Sequence, residues 1–355
     1  MYWLIFVILT IALLGFADMA DKKQRTLALI VSWVLLSLTA GLRNVGGLED
    51  DYAIYLAHYT GETGPVLASY FEPGYNLLVW LGNLLGLSYN GFLFFYSSIV
   101  LFFFVRIVFK RSKAPMLSIL IYMATYFLFY NMVLNRQMAA VVAVLYGIYH
   151  IIDKKPWKFL AAMLIAVSFH YSAVAVLLTY PILRYLKIDK YTVGITVAAT
   201  LLIMVTGINN IIIDLVSMGG NPLASRMSAY LLKSLNFQVN KMEYAKIALM
   251  IPAIIWVYPR IKDSFESQVL IKSYIIFCVF LALFSHLEIM VRVGMYFDLA
   301  IIFLIPIIIS RIKMVFSTKI IIYLLFAIFT VFSFLYRVNN FSGGEFLQYN
   351  FFFLQ

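Results

Sequence analysis

Long apolar stretches separated by short polar or basic connectors recur from Met1 to Arg337. Each stretch is close to the roughly 20 residues that an α-helix needs to cross the hydrocarbon core of a bilayer. The composition agrees, since 64% of the 355 residues are hydrophobic, 12% are charged and the mean hydropathy is +0.94. A soluble fold of this length could not bury so much apolar surface. The pattern therefore predicts an all-α integral membrane protein that forms a single polytopic domain over residues 1–355.

Basic residues mark the connectors on the cytoplasmic side, because short loops rich in Lys and Arg stay there during insertion. Most of the 27 Lys and Arg residues fall in six clusters, at 22–25, 106–113, 154–158, 184–190, 260–272 and 311–319. An even number of crossings between successive clusters gives twelve spans and places both termini outside. We predict spans near residues 1–16, 27–42, 90–109, 115–132, 136–152, 157–169, 170–186, 191–208, 244–259, 268–287, 291–310 and 318–336.

Two apolar segments do not fit a simple crossing. Residues 71–86 are apolar enough to span, but a crossing there would move the 106–113 cluster outside. We therefore predict an outer-side re-entrant or interfacial helix that begins at the Pro73-Gly74 break. Residues 157–186 are long enough for one helix, but one helix would move the 184–190 cluster outside. A split near His170 instead gives two short spans that meet outside, where the bilayer must thin to match them.

The polar residues of the outer side gather in two long loops, 43–71 and 209–243, so we expect a substrate site that faces outward. Arg43 ends a span and is followed by a glycine pair and the acidic run Glu49-Asp50-Asp51. It is either an interfacial anchor that reaches lipid phosphates or a ligand for an anionic substrate. Asp51 and its neighbour offer oxygen ligands to a cation, but no third ligand follows at a suitable spacing. We therefore expect no metal site.

A polar hairpin tip precedes the apolar helix that begins near residue 136, and it includes Asn135 and Arg136. An arginine at a helix N-terminus adds a full charge to the positive end of the helix dipole, which is favourable only when an anion is present. Arg136 is therefore a candidate anion ligand. The alternative is a structural ion pair with a carboxylate from a loop.

His170 lies at the proposed break between two short spans. A lone histidine beside a helix break is more often a hydrogen-bonded core residue than a catalyst. At an outer dent in the membrane surface, however, it is well placed to accept a proton from a sugar hydroxyl near neutral pH.

Two further candidates lie in the second half of the chain. Arg292 and Tyr296 are four residues apart and share a helix face, and charge this deep in a span favours a position that faces a cavity. In the 209–243 loop, apolar residues at helical spacing predict an amphipathic helix on the outer interface, with Arg226 beside it. A gate over a groove open to lipid is the alternative for this segment.

Several classes of protein are disfavoured by the sequence. The chain contains no GxSxG, HExxH or CxxC motif, and a single cysteine, Cys278, cannot form an internal disulfide. The formal net charge of +11 would suggest nucleic acid in a soluble protein, but the cytoplasmic connectors account for most of it. We expect no cofactor and no nucleic-acid partner.

Five short segments carry a resemblance to a known family: GLRNVGGLEDDYAIY, FEPGYNLL, LNRQMAA, SFHYSA and VRVGMYF. In this order, over nearly the whole chain, they resemble the EpsG-like branch of the Wzy-type O-antigen and exopolysaccharide polymerases. One departure is that the family often reads Gly-x-Asp after the first arginine, where this chain reads Gly-Gly-Leu-Glu-Asp-Asp. The role of Asp50 or Asp51 is therefore open.

The resemblance implies a metal-independent, inverting glycosyltransferase of GT-C-like architecture in the bacterial inner membrane, with its active site facing the periplasm. Its implied donor and acceptor are oligosaccharide repeats carried on undecaprenyl pyrophosphate, and the bilayer, a chain-length regulator and a flippase are its implied partners. Arginine suits the leaving pyrophosphate because its planar fork grips two oxygens and stays charged.

The site residues follow from the resemblance together with this chemistry. His170 would act as general base or orient the acceptor, and Glu72 would position His170 or the sugar. Arg136 would be the catalytic arginine that contacts the leaving pyrophosphate. The expected substrate-binding residues for pyrophosphate and glycan are Arg43, Arg292, Tyr296, Asp51, Asn135 and Arg226.

Two other functions are compatible with membrane spans and an outward-facing site for an anionic lipid-linked glycan. An O-antigen ligase, or another outward-facing transferase of lipid-linked glycans, would also need an outward pyrophosphate site. A lipid-oligosaccharide flippase or transporter commonly has two related halves and polar residues near the bilayer midplane. Here no related halves are apparent and the charges gather at the outer ends of the spans.

Overall fold

The computed structural model describes residues 2–43, 49–64, 68–69, 71–206, 241–285, 287–312, 315–340, 349 and 351. In these ranges the regular secondary structure is helical, apart from an isolated bridge between Arg43 and Phe351. Eight of the described helices are long and apolar enough to cross a membrane: Tyr2–Met19, Lys22–Gly41, Tyr89–Arg111, Pro115–Met132, Glu243–Ile261, Phe265–Phe284, Met290–Ser310 and Ser317–Asn340. Each coincides with a predicted span, which confirms an all-helical, multi-pass membrane protein.

The four other predicted spans have shorter or less apolar helices. Three of them form the helices Asn135–Ile152, Pro156–Phe169 and Lys190–Thr206. The fourth, 170–186, is broken into a 3-10 turn at Tyr171–Ala173 and the short helices Val174–Leu177 and Tyr180–Tyr185. The predicted split near His170 is therefore present in the fold, while a crossing by each of these four segments stays a prediction.

Two helices lie in the segments expected outside the spans. Glu49–Thr60 forms within the predicted outer loop 43–71. Pro73–Leu84 forms within the predicted re-entrant segment, and it begins at Pro73 as expected, since proline is favoured in the first turn of a helix. Its 12 residues span about 18 Å, which is too short to cross a bilayer core of about 30 Å. Of the second predicted outer loop, 209–243, residues 209–240 lie outside the described residues.

The predicted single domain contains two compact units. Unit 1 comprises Met1–Gly147, Leu160–Val174 and Ile312–Gln355, and unit 2 comprises Ile148–Phe159 and Ala175–Arg311.

Unit 1 has a charged cluster where the helix Pro115–Met132 begins. The Asp18 carboxylate accepts hydrogen bonds from the main-chain nitrogens of Met116 and Leu117, at 3.0 and 2.9 Å. Arg25 lies 3.9 Å from the same carboxylate. A carboxylate is favourable at this position because it satisfies free N–H groups and the positive end of the helix dipole. The contact brings the basic clusters 22–25 and 106–113 to one end of the unit.

Arg43 marks the opposite end of the same helices. It follows the helix Lys22–Gly41 and is buried, with 8% of its surface exposed. Its guanidinium donates to the main-chain oxygens of Asn131 and Met132, at 3.2 and 3.1 Å, and to the oxygen of Ala40. The helices Lys22–Gly41 and Pro115–Met132 therefore run in the same direction and are joined at both ends, about 27–30 Å apart at 1.5 Å per residue.

Unit 2 encloses two lysines, Lys246 with 12% of its side chain exposed and Lys272, which is buried. Lys246 Nζ lies 2.5 Å from the Asp298 carboxylate and 2.5 Å from the Glu243 carboxylate. Pairing of this kind is expected because an ionised group in a membrane interior is costly without a partner.

Lys272 is 3% exposed, and its Nζ donates to the main-chain oxygens of Leu183 and Leu186, at 2.5 and 3.0 Å. It therefore satisfies carbonyl groups at the C-terminal end of the helix Tyr180–Tyr185. Lys272 lies in the helix Phe265–Phe284, inside the predicted span 268–287, and its place at the cytoplasmic side stays a prediction.

Candidate active site

Glu72, Arg136 and His170 meet in unit 1. Arg136 Nη1 donates to Glu72 Oε2 at 2.5 Å, and His170 Nδ1 lies 2.9 Å from Glu72 Oε1. The main-chain nitrogen of Tyr171 also approaches Oε1, at 3.4 Å. Glu72 is thus the central member of the group, and both of its oxygens are used.

Each member is placed by a helix end. Glu72 is the N-cap residue of Pro73–Leu84, and its side chain makes no hydrogen bond to that helix's own N–H groups. Arg136 is the second residue of Asn135–Ile152. His170 directly follows Pro156–Phe169 in an extended conformation, with φ −158° and ψ 116°. Three separate helix ends thus supply the three side chains.

Burial differs among the three side chains. Glu72 is almost fully enclosed, with 3% of its side chain exposed, whereas Arg136 and His170 are 21% and 27% exposed. A ligand therefore has access to the arginine and the histidine, while the carboxylate lies behind them.

The charge state of Glu72 follows from its neighbours. Burial acts to raise the pKa of the Glu72 carboxyl group, but the hydrogen bond to His170 and the charge of Arg136 act against it. The net effect lowers the pKa below its ordinary value of about 4.3. Glu72 is therefore ionised at neutral pH and acts as an acceptor for both partners.

An ionised Glu72 also determines which ring nitrogen of a neutral His170 carries the proton. A carboxylate can only accept, so the proton of a neutral His170 ring lies on Nδ1 and its Nε2 carries a lone pair. A histidine held in this way by a carboxylate is oriented to take a proton at Nε2.

Aromatic residues form a wall around Arg136. The guanidinium carbon lies 4.7 Å from the ring centroid of Phe71 and 5.4 Å from that of Tyr55. Arg136 Nε also donates to the Tyr55 hydroxyl, at 2.9 Å. Tyr55 and Phe71 were missed by sequence reasoning, although the position of Phe71 directly before Glu72 was a usable signal.

The helix Pro73–Leu84 approaches His170 closely at Gly74. A Cβ atom on Gly74 would lie 2.6 Å from Ser168 Oγ and 2.8 Å from the Ser168 main-chain oxygen. Only glycine fits here, because any side chain would push the start of this helix away from the end of Pro156–Phe169.

We expect Gly74→Ala to separate Glu72 from His170 and to lower stability by about 1–3 kcal/mol through overpacking. Thermal unfolding of the purified protein tests this. Gly64→Ala is the matched control, because a Cβ atom there would meet nothing within 4 Å. Equal behaviour of the two variants would contradict the expectation.

Arg43 has a different environment from Arg136. Its bonds to three main-chain oxygens make it a clamp between two helix ends, and turning the Asn135 amide would add a further contact, at 3.3 Å. A role of Arg43 in substrate binding stays a prediction, and it would require these bonds to be exchanged.

We expect Arg43→Lys to lower the thermal unfolding temperature, because one ammonium group cannot reach all three carbonyl groups and each unpaired one costs about 1–3 kcal/mol. The exposed Arg106 provides the control variant Arg106→Lys. A normal unfolding temperature with lost activity would instead favour direct contact of Arg43 with substrate.

The remaining predicted residues lie elsewhere or are less fully described. Asn135 is buried in unit 1, where its main-chain oxygen accepts a hydrogen bond from Tyr96 at 2.9 Å. Arg292 and Tyr296 lie in unit 2 on the helix Glu288–Asp298, and Tyr296 is fully buried. Asp51 belongs to the helix Glu49–Thr60, and Arg226 lies outside the described residues. Substrate binding by these five residues stays a prediction.

Comparison with known protein families identifies a match to this chain. A model of the EpsG family matches residues 26–351, which include every member of the Glu72 group. No curated protein and no solved structure matches the chain. Because the family match covers nearly the whole sequence, the chain belongs to the EpsG family.

Proposed function

We propose that this protein is an O-antigen or exopolysaccharide polymerase that joins oligosaccharide repeats carried on undecaprenyl pyrophosphate. Membership of the EpsG family indicates a role in polysaccharide polymerisation. The observation that carries the specific proposal is the Glu72 carboxylate, which is bonded to a partly exposed arginine on one side and a partly exposed histidine on the other.

The proposed reaction is a displacement at the anomeric carbon of the donor chain. A hydroxyl oxygen of the acceptor repeat attacks this carbon, and His170 takes the hydroxyl proton at Nε2. The bond from the anomeric carbon to the pyrophosphate oxygen breaks, and the lipid pyrophosphate leaves with the bonding electrons. Attack opposite the leaving group inverts the anomeric configuration. These steps use no metal ion.

Glu72 and Arg136 have separate roles in this scheme. Glu72 orients His170 and stabilises the imidazolium that forms when the ring takes the proton. Arg136 is our first choice for the leaving pyrophosphate because its side chain is partly exposed and always charged. Arg43 and Arg292 are further candidates.

The orientation we propose places the site at the periplasmic face of the inner membrane. Arg136 follows the helix end that Arg43 clamps, at the end of unit 1 opposite the basic clusters 22–25 and 106–113. Such clusters mark the cytoplasmic side.

The same rule supports twelve spans with outer termini, and we propose a GT-C-like architecture on the basis of the family resemblance. A chain-length regulator and a flippase are proposed partners.

A ligase is the second candidate, because transfer of a glycan to a lipid A core would use the same carboxylate, histidine and arginine. The two reactions differ only in the acceptor. A flippase is less well supported, since transport needs no general base and Glu72 holds His170 in the orientation of one.

The test is a reaction of the purified protein with defined lipid-linked repeats. We expect products with several repeats, an inverted linkage at each new bond, and release of undecaprenyl pyrophosphate. Transfer to a lipid A core alone would favour the ligase, and movement of intact substrate across vesicles without new linkages would favour the flippase. In a polymerase-null strain, the variant His170→Ala should leave surface glycan of single repeats.

A further inference from the structure

His58 lies one layer behind the proposed catalytic group, and sequence reasoning gave it no role. It belongs to the helix Glu49–Thr60, and its ring stacks on Phe71 with a centroid separation of 3.7 Å and an interplanar angle of 6°. Phe71 directly precedes Glu72 and also contacts the guanidinium of Arg136. The histidine ring thus supports the residue next to the central carboxylate.

A second connection runs through Asn76. His58 Nε2 lies 2.7 Å from Asn76 Oδ1, and Asn76 Nδ2 donates to the main-chain oxygen of Phe71 at 3.1 Å. The main-chain nitrogen of Asn76 donates to the oxygen of Glu72 at 3.0 Å. Asn76 therefore fixes both carbonyl groups that flank the Glu72 α-carbon.

These contacts determine the proton position on His58. Because Asn76 Nδ2 is used by Phe71, the amide oxygen faces the ring, and Nε2 must carry the proton that it donates. His58 Nδ1 is buried and has no hydrogen-bond partner among the described residues. Burial lowers the pKa of His58, the hydrogen bond with Asn76 opposes this, and the charge of Arg136 lowers it further. A neutral ring with one defined tautomer results.

We propose that His58 is a positioning residue that, through Asn76 and Phe71, sets the position of Glu72 between Arg136 and His170. A displacement of about 1 Å in a catalytic group can cost roughly 100-fold in rate. Glu72 precedes the helix Pro73–Leu84, and its side chain makes no hydrogen bond to the N–H groups of that helix. The position of Glu72 therefore depends on the few neighbouring residues that hold its backbone.

The matched comparison is between two asparagines on one helix. Asn76 joins Pro73–Leu84 to His58, and Asn83 joins the same helix to the main-chain oxygen of Tyr59 at 3.3 Å. Both therefore tie the same pair of helices together, but Asn83 lies about 10 Å further along, at 1.5 Å per residue for seven residues. If only the packing of Glu49–Thr60 against Pro73–Leu84 matters, loss of either asparagine should have the same effect. If Asn76 positions Glu72, only the loss of Asn76 should disturb the site.

The experiment records nitrogen NMR spectra of the full-length protein with labelled histidine, together with kcat and KM on lipid-linked repeats. The chain has only four histidines, so substitution assigns each signal. We expect His58 to be neutral with its proton on Nε2. In Asn76→Ala, the His170 signals should shift and kcat should fall about 10- to 100-fold with KM unchanged, while Asn83→Ala should change neither.

Two variants of His58 separate its contacts. The amide nitrogen of His58→Gln can replace the Nε2 donor, so this variant should keep most of kcat and the His170 signals of the original protein. His58→Phe keeps an aromatic ring against Phe71 but cannot donate to Asn76, so it should behave like Asn76→Ala.

The inference is overturned if Asn76→Ala leaves the His170 signals unchanged, or if Asn83→Ala shifts them equally. The activity part rests on the proposed function, whereas the spectra do not. If the original protein forms no glycan linkage, the proposed function fails, and the shift of the His170 signals in Asn76→Ala still decides the role of His58.

Discussion

Glu72→Gln is expected to reduce glycan polymerisation by at least about 100-fold, within the range of roughly 10²–10⁴ that general acid–base groups contribute. The substitution keeps the size of the side chain but removes the charge that faces Arg136 and His170. An amide would present an NH₂ group to one of these donors, which breaks at least one contact. The measurement is kcat of the purified protein on lipid-linked repeats.

Glu62→Gln is the control for this prediction, because Glu62 is exposed and lies only ten residues away in the sequence. It should retain normal activity. A Glu72→Gln variant with normal kcat would remove Glu72 from the mechanism, and His170 would then need another group to orient it.

The pH dependence of the Glu72 contacts follows from the sign of its shift. Because its pKa in the folded protein is lowered, these contacts add stability that is complete above the ordinary glutamate pKa of about 4.3 and is lost as pH falls through the lower folded value. The difference in unfolding temperature between the original protein and Glu72→Gln should therefore persist at pH 5 and shrink below pH 4. A difference that vanished already at pH 6 would contradict the lowered pKa.

Arg136→Lys is expected to cause the second large loss, about 10- to 100-fold in kcat. Lysine keeps the charge, but its single ammonium group cannot bond to Glu72 and Tyr55 in the fixed directions of the guanidinium, nor grip two pyrophosphate oxygens at once. The Arg106→Lys variant is the control, because it shows whether replacing an exposed arginine by lysine elsewhere in the protein also lowers kcat.

Arg136→Ala separates the structural part of this effect from the chemical part. It would leave the buried Glu72 carboxylate without its cation, which costs about 3–5 kcal/mol for a buried pair. A fall in the unfolding temperature is therefore expected for alanine and a much smaller one for lysine. If lysine restored full activity, the planar fork of Arg136 would have no role in binding the leaving group.

Local signals explain which parts of the fold were predictable. Pro73 marks the start of its helix because proline fits the first turn. The helix break at His170 was predicted because an unbroken span would have placed the basic cluster 184–190 on the outer side of the membrane. The alternative of an ion pair between Arg136 and a loop carboxylate is also present, with Glu72 as the partner. Each of these rests on a few neighbouring residues or on a count of crossings.

Contacts between distant helices were not predictable in the same way. Tyr55 meets Arg136 across 81 residues of sequence, and no period or motif relates the two positions. Lys272 binds the main-chain oxygens of Leu183 and Leu186, which lie 89 and 86 residues earlier in the sequence, and no local pattern relates these positions. The carbonyl oxygens that Arg43 binds belong to the backbone, which the identity of the residues does not reveal.

Asp18 and Arg43 join the helices Lys22–Gly41 and Pro115–Met132 at opposite ends. The helix pair therefore has a nearly constant length. Because this length is fixed, a bilayer with longer acyl chains would leave the site below the headgroup region, away from the lipid-linked substrates proposed for it. Reconstitution into lipids of graded chain length should therefore give a rate maximum where the hydrocarbon thickness matches about 27–30 Å. Cells that change their membrane thickness with temperature would thereby also change the rate of glycan assembly.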